Sequence, residues 1–287
     1  MPNFKPPHLT TLPVLWQDDH LIAIHKPAGW LVHRTGLDAG ETRFVVQTLR
    51  SQLGGRHVFP VHRLDKGTCG VLLLALDAAT ARQVGLSFMN HQVDKRYLAL
   101  VRGWAPEAIE VDHPLRPDDA PPDAPAQPAR TQFRCLTRLE WPGSADPRFA
   151  SSRASLVEAR PLTGRRHQIR RHLKHLAHPI LGDATHGKGP LNRWWAAQLG
   201  LQRLWLHACE LSLPHPVSGQ RLTLRSGLHW NETTQRLEIA DPAADPTHPD
   251  LIHWAESSGR IPRPPGVMLG MQPAQALAGD VGVDLRS

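Results

Sequence analysis

The chain of 287 residues is poor in several things, and each shortage narrows what it can be. It has three cysteines, Cys69, Cys135 and Cys209, far apart along the sequence. That number gives neither a disulfide framework nor a C-x-x-C metal pattern, and it points to a reducing cytoplasm. Long apolar runs are missing. The longest clean one covers residues 71–76, far short of the ~20 residues a membrane helix needs. The opening residues, Met1-Pro2-Asn3-Phe4-Lys5-Pro6-Pro7-His8, have no apolar core of the kind a secretory signal carries. These absences argue against a membrane protein and against an exported one. Tyrosine is scarcest of all: Tyr97 stands alone against nine tryptophans.

What is present describes a soluble globular chain, with 40% hydrophobic and 21% charged residues. The net charge of +7 is unevenly placed. Residues 1–230 hold 29 Lys and Arg against 18 Asp and Glu, whereas residues 231–287 hold 4 against 8. A basic body with an acidic end suits a polyanionic partner such as nucleic acid.

Residues 1–13 are rich in proline and read as a flexible leader. Residues 21–25 read as a strand closed by the turn Lys26-Pro27-Ala28-Gly29. Helical spacing of apolar residues runs over 41–53, ending at Gly54-Gly55. Residues 71–76 form a buried strand candidate, and Asp77 caps a helix after it. Residues 95–101 read as a strand, as do 131–139 and 155–159. Between them, residues 113–128 carry six prolines and three aspartates and read as an exposed loop. A helix is expected over 166–177, and a hairpin from 204–213 and 221–225. Beyond Trp230 the periodicity fades, so 231–287 reads as a weakly ordered acidic tail containing proline, dispensable for activity.

Three segments concentrate chemistry. In His62-Arg63-Leu64-Asp65-Lys66-Gly67-Thr68-Cys69-Gly70 a carboxylate lies between cations and is followed by glycines. Cations beside it favour the ionised form, and the glycines permit a tight turn that holds it at a cleft edge. Such a group can act as nucleophile or base, although an ordinary surface turn has the same composition. In Lys95-Arg96-Tyr97-Leu98-Ala99 the single tyrosine sits beside two cations, which suits stacking on a nucleobase as well as core packing. Residues 160–175 contain six Lys or Arg and no acid, in a glycine turn feeding a helix with apolar Ile169 and Leu173. His172, His175 and His178 lie three apart, but no acid or Cys joins them and a proline follows the third, so no metal site is expected. Cys69 lacks a recognisable catalytic partner, and a packing role is expected for it.

In combination these segments resemble the RluA-type pseudouridine synthases. His62-Arg63-Leu64-Asp65 with Thr68-Cys69-Gly70 is similar to that family's HRLDxxTSG signature, with Cys in place of the usual Ser. Lys95-Arg96-Tyr97-Leu98-Ala99 resembles its K-x-Y-x-A motif. Residues 163–170, Thr-Gly-Arg-Arg-His-Gln-Ile-Arg, with 178–183, His-Pro-Ile-Leu-Gly-Asp, resemble its TGRxHQIR…HPIxGD block. The likeness covers roughly residues 14–230, the expected catalytic domain. A narrower likeness, carried by residues 29–34, 90–92, 101–104 and 200–204, is to the branch that acts on uridine 65 of tRNA.

The resemblance implies an α+β fold with a mixed, mostly antiparallel sheet and a central RNA-binding cleft. It implies an isomerase that flips a uridine out of the RNA and rejoins the uracil through C5, with no metal and no cofactor. Asp65 is the implied catalytic aspartate, set to attack C1′ of the sugar or C6 of the uracil, or to act as a base at the ribose. Tyr97 is implied to stack on the flipped uracil, Arg165 to pair with Asp65, and Arg63 to brace the vacated stack. Further RNA contacts are expected at His62, Lys26, Arg166, Arg170 and Arg171. The expected partner is a tRNA, and the expected state a monomer. A ribosomal-RNA synthase of the same family and a catalytically silent RNA-binding or folding-helper protein are the alternatives; the presence of Asp65, Tyr97 and Arg165 favours an enzyme.

Overall fold

The computed structural model describes residues 11–33, 40–118, 120, 121, 123–239 and 248–260, the last three of these by backbone only. Most of the leader, residues 34–39, Asp119, and residues 240–247 and 261–287 of the expected tail lie outside them.

The chain builds one large sheet. β1 (Val14–Gln17) and β2 (Leu21–Lys26) form the first hairpin, followed by α1 (Val45–Gln52), β3 (Phe59–Pro60) and β4 (Cys69–Ala75). α2 (Ala78–Met89), β5 (Asp94–Arg102) and β6 (Ala108–Asp112) lead to a long hairpin of β7 (Arg130–Pro142) and β8 (Ser151–Pro161). α3 (Gln168–His175) and α4 (Gly189–Leu199) precede β9 (Leu206–Pro214) and β10 (Arg221–Arg225). β11 (Leu228–Asn231) and β12 (Arg236–Ile239) form a separate small hairpin, and α5 (Pro249–Arg260) ends the described chain.

The strand order is β1-β2-β4-β9-β5-β8-β7-β6, with β10 beside β9 and β3 beside β4. Every named pair is antiparallel except β4 with β9. The expected mixed, mostly antiparallel sheet is therefore the observed one. Asp77 caps α2 as expected, accepting a bond from Thr80 N at 2.8 Å. β7 and β8 run longer than the apolar pattern, because their outer residues alternate with polar ones that face solvent.

β4 and β9 are central, and β4 is sealed. All seven residues of β4 are buried, which is why that stretch reads as a continuous apolar run rather than an alternating one. The parallel contact pairs Cys69 with His207 and Gly70 with Ala208. Gly70 has φ +110°, and a Cβ there would lie 2.2 Å from Ala208 O, so only glycine lets the strand leave the preceding turn this close to β9.

Three expectations about the ends and loops are corrected. Leu12, placed in the flexible leader, is 1% exposed, and its backbone exchanges two bonds with the Gln52 side chain. The tail is not weakly ordered where it is described. β12 buries Leu237, and α5 buries Leu251 and Trp254 in the main core beside Trp205. Few large apolar side chains fasten this helix, too few to give a periodic signal among the prolines. The proline loop 113–128 buries Leu115, which forms a β-bridge with Gln127.

Candidate active site

Asp65 stands in the turn between β3 and β4. Thr68 N donates to its carbonyl at 3.0 Å and closes that turn. The turn hangs from the Lys26–Gly29 segment: Gly29 N donates to Lys66 O at 2.7 Å, and Lys26 Nζ donates to Thr68 O at 2.7 Å and Lys66 O at 3.3 Å. Lys26 has 0% exposure and a third acceptor in Pro27 O. Burial pushes its pKa down to about 8, while three carbonyls oppose the loss of its proton. Lys26, expected among the RNA contacts, is thus sealed from the surface and fastens the Asp65 turn from behind.

The turn presents Asp65 to a cleft of about 320 Å³ shared with Tyr97, Lys95, Arg165 and His167. A second cavity of about 550 Å³ opens on its other side, toward His33, Lys66 and Thr185. Asp65, Arg63, Arg166 and Arg170 border both. The carboxylate thus stands on a ridge between two spaces, with about a quarter of its side chain exposed.

The cation on Asp65 is Arg170, not Arg165. Arg170 Nη1 donates to Asp65 Oδ2 at 2.9 Å. Its remaining edge makes a two-point bond to Asp183, Nε to Oδ2 at 2.7 Å and Nη2 to Oδ1 at 2.8 Å. Burial opposes the charge on Arg170, but Asp183 and then Asp65 outweigh it and raise its pKa. Asp183 is buried too, yet Arg170 and the His186 N–H hold its pKa below the ordinary value. Arg165 points elsewhere, with Nε donating to Pro128 O at 3.1 Å. Arg170 is 7% exposed, so it leaves the set of RNA contacts and becomes the aspartate's partner.

The turn before α3 explains the difference. Gln168, 4% exposed, accepts from Thr163 Oγ1 and Arg165 N and donates to Arg130 O and Thr131 Oγ1. His167 takes the left-handed conformation, φ 55°, to enter the helix. Its Nε2 then lies 3.8 Å from Asp65 Oδ1, and its Nδ1 lies 3.0 Å from Asp118 Oδ2. Burial lowers the pKa of His167, which keeps it neutral near pH 7. In the sequence Gln168, His167 and Asp183 are only letters of a motif; their places appear once the loop is closed.

Tyr97 lines the cleft from β5. Burial, with Asp65 adding to it, raises its phenol pKa well above the ordinary value, so the hydroxyl stays protonated. Lys95 extends from the same strand and donates to Thr163 O at 3.0 Å; burial lowers its pKa to about 8. His62 is also corrected. Its Nε2 accepts from Leu73 N at 3.0 Å and its ring stacks on Phe88, while burial and Lys95 push its pKa to about 3. A neutral ring fixed in this way offers no charge to a phosphate. Arg63 is exposed at the rim, and Arg166 and Arg171 lie near Asp118, at 3.7 and 3.3 Å.

The three spaced histidines go to separate partners. His172 meets Thr131 Oγ1 and His113 O, His178 meets Arg102 O, and His175 stacks on His113. Among the described residues, one other set, His25, Cys69 and Asp250, brings ligand-type atoms within 4.8 Å of one another. Arg203 already occupies Cys69 Sγ at 2.8 Å and Asp250 Oδ1 at 2.6 Å, with the Lys26 charge nearby. A dication has no electrostatic case there. Cys69 is thus a polar partner in the core and not only packing.

The family model for RNA pseudouridylate synthase matches residues 20–175, which hold Asp65, Tyr97 and Arg170. The chain belongs to the RNA pseudouridylate synthase family. It is 49% identical over 224 residues to the tRNA pseudouridine synthase C of Vibrio cholerae, covering 76% of this chain and 91% of that protein. It is 46% identical over 233 residues to the protein of the same name from Yersinia pestis, covering 79% and 89%. Among solved structures it resembles human RNA Pseudouridylate Synthase Domain Containing 4, at 31% identity and a TM-score of 0.58, over 79% of this chain and 94% of that one. The human Domain Containing 1 protein, 23% identical with a TM-score of 0.62, shares the fold over 91% of this chain and 100% of its own.

Proposed function

We propose that this pseudouridine synthase acts on tRNA and isomerises uridine 65, without metal or cofactor. The substrate class follows the relatives named tRNA pseudouridine synthase C. The observation that carries the chemistry is the chain Asp65–Arg170–Asp183, which fixes a carboxylate at the ridge of a basic cleft that a half-buried phenol also lines.

Uridine in a folded RNA has to leave its stack before its glycosidic bond is accessible. Arg63, exposed at the rim between the two cavities, is placed to fill the vacancy. The cleft gives the flipped uracil a face on Tyr97, and the second cavity leaves room for ribose and phosphate. Breaking N1–C1′ and forming C5–C1′ moves one proton from C5 and places one on N1, so atoms balance with no co-reactant. Asp65 supplies the anion for attack at C1′ or C6, or for proton removal at the ribose. Arg170 keeps it oriented through the cycle, because Asp183 prevents the guanidinium from following the carboxylate away. The protonated Tyr97 hydroxyl is a hydrogen-bond donor at the cleft, suited to relaying the C5 proton.

The test is pseudouridine mapping on unmodified tRNA incubated with purified protein. Wild type is expected to convert uridine 65. Asp65→Asn is expected to bind the tRNA and convert none of it, since an amide neither attacks nor takes a proton. Conversion of ribosomal RNA but not tRNA would overturn the substrate assignment, and wild-type conversion by Asp65→Asn would overturn the chemistry.

A further inference from the structure

Behind the catalytic turn lies a polar cluster sealed from solvent. Asp250, in the first turn of α5, is 1% exposed, and Arg203 is 5% exposed. Neither lines the cleft. We propose that Asp250 is a positioning residue for the reaction, holding through Ala28 and Arg203 the two backbone segments that carry Asp65 and the Asp183 grip on Arg170. The proposal rests on the reading of Asp65 as the reacting carboxylate.

Each carboxylate oxygen serves one arm. Oδ2 accepts from Ala28 N at 3.0 Å, across 222 residues of sequence. Ala28 belongs to the Lys26–Gly29 segment, from which the catalytic turn is suspended by Lys26 Nζ and Gly29 N. Oδ1 accepts from Arg203 Nη1 at 2.6 Å. The Arg203 backbone packs on Gly182, where a Cβ would lie 1.7 Å from Arg203 O, and the next residue is Asp183. Trp205 N also donates to Leu181 O at 3.1 Å, tying the same two segments together. The other Arg203 nitrogen, Nη2, lies 2.8 Å from Cys69 Sγ, at the exit of the catalytic turn.

A residue that only stabilised the core would not need these partners. An apolar pair in this space would give similar stability without the desolvation of two charges. The ion pair adds direction: one carboxylate fixes a backbone N–H of the segment that suspends the turn and a guanidinium that reaches Cys69 at its exit. The helix that carries it is anchored by Trp254, 0% exposed, against Trp205 and His207. The C-terminal element thereby becomes a brace for chemistry done elsewhere in the fold.

The experiment compares Asp250→Asn with Leu251→Ala in the full chain, well below each variant's unfolding temperature. Leu251 is the buried neighbour on the same helix, so its truncation weakens the packing and leaves the ion pair. Two readouts are taken: hydrogen exchange over residues 64–70, which needs no RNA, and single-turnover rate with separately measured Kd on unmodified tRNA. Asp250→Asn is expected to speed exchange over 64–70 and lower the rate roughly tenfold to hundredfold, with Kd within about twofold. Leu251→Ala is expected to lower the unfolding midpoint with both readouts near wild type. If Asp250→Asn gives no folded protein, Arg203→Lys takes its place with the same expectations. Unchanged exchange and an unchanged rate in a folded variant would overturn the brace. A wild-type protein with no product on tRNA would instead overturn the proposed function, leaving the exchange result to decide the brace.

Discussion

Arg170 and Arg203 are the same device in two settings. Each guanidinium joins two side chains: Arg170 links Asp65 to Asp183, and Arg203 links Asp250 to the sulfur of Cys69. Asp65 keeps about a quarter of its side chain in the open cleft, whereas Asp250 and Cys69 have almost no exposure. Burial opposes the charge at both arginines, and at both the anionic neighbours win. The open site leaves Asp65 Oδ1 without a bond to its arginine and with only His167 near it, at 3.8 Å, while in the sealed site both oxygens of Asp250 are taken up inside the protein, by Ala28 N and Arg203. Exposure of one acid, rather than the ion pair itself, separates the proposed reacting site from its proposed support.

The sharpest way to break that contrast is at Asp183. Asp183→Asn removes the charge that prevents Arg170 from turning away, and a buried pair broken on one side costs about 3–5 kcal/mol. Single-turnover kinetics should show a loss on the order of 10²-fold or more in rate, with tRNA affinity nearly unchanged. A variant with normal turnover would mean that Arg170 needs no anchor.

The sealed side should respond in stability first. Trp254→Ala empties a fully buried site against Trp205 and should cost about 3–5 kcal/mol in urea unfolding. A loss under 1 kcal/mol, by the same scale, would show that α5 is not part of the core.

Acid should find the same cluster. Burial, with Arg203 adding to it, pushes His207 from 6.5 down to about 3. Between those values the unfolded chain binds a proton that the folded chain refuses, so stability rises with pH across the window. It falls as pH drops from 6.5 toward 3, by roughly 1.4 kcal/mol per pH unit for this group. His207→Gln should flatten the measured slope by about one proton. An unchanged slope would place the acid sensitivity elsewhere, with His62, whose pKa is also about 3, as the next group to replace.

The smallest effect is expected at the cleft mouth. Asp118 lies against His167 and Arg171 and offsets positive charge that an RNA backbone would otherwise meet. A half-exposed contact of this kind carries about 0–1 kcal/mol, so Asp118→Asn should tighten tRNA binding a few-fold at low salt and not at high salt. Weaker binding would make Asp118 a support of the loop instead.

Most of the sheet was legible in the sequence, and so were Asp65 and Tyr97 as candidates that the fold brings to one cleft, because buried strands and short ordered motifs are local signals. The pairing was not. Residues 165–171 offer four arginines, and which one meets Asp65 depends on the Gln168 clamp and the left-handed turn at His167, both products of tertiary contacts. Lys26 was expected among the RNA contacts, yet all six residues of β2, Lys26 included, are buried. The tail was misread for a related reason. Leu251 and Trp254 give α5 its anchor, but two buried residues make no period, and the value of Asp250 lies in partners up to 222 residues away.

The most direct test of the account is therefore the choice between the two arginines. Arg170→Ala and Arg165→Ala are compared by single-turnover kinetics on unmodified tRNA, with Kd measured at two salt concentrations. Arg170→Ala is predicted to lose turnover by orders of magnitude, with little change in Kd or in its salt dependence. Arg165→Ala is predicted to keep near-normal turnover at saturating tRNA and to reduce the salt slope of binding by about one. The reverse result, with Arg165→Ala losing turnover by orders of magnitude and Arg170→Ala affected only in affinity, would contradict the Asp65–Arg170–Asp183 chain as the core of the active site.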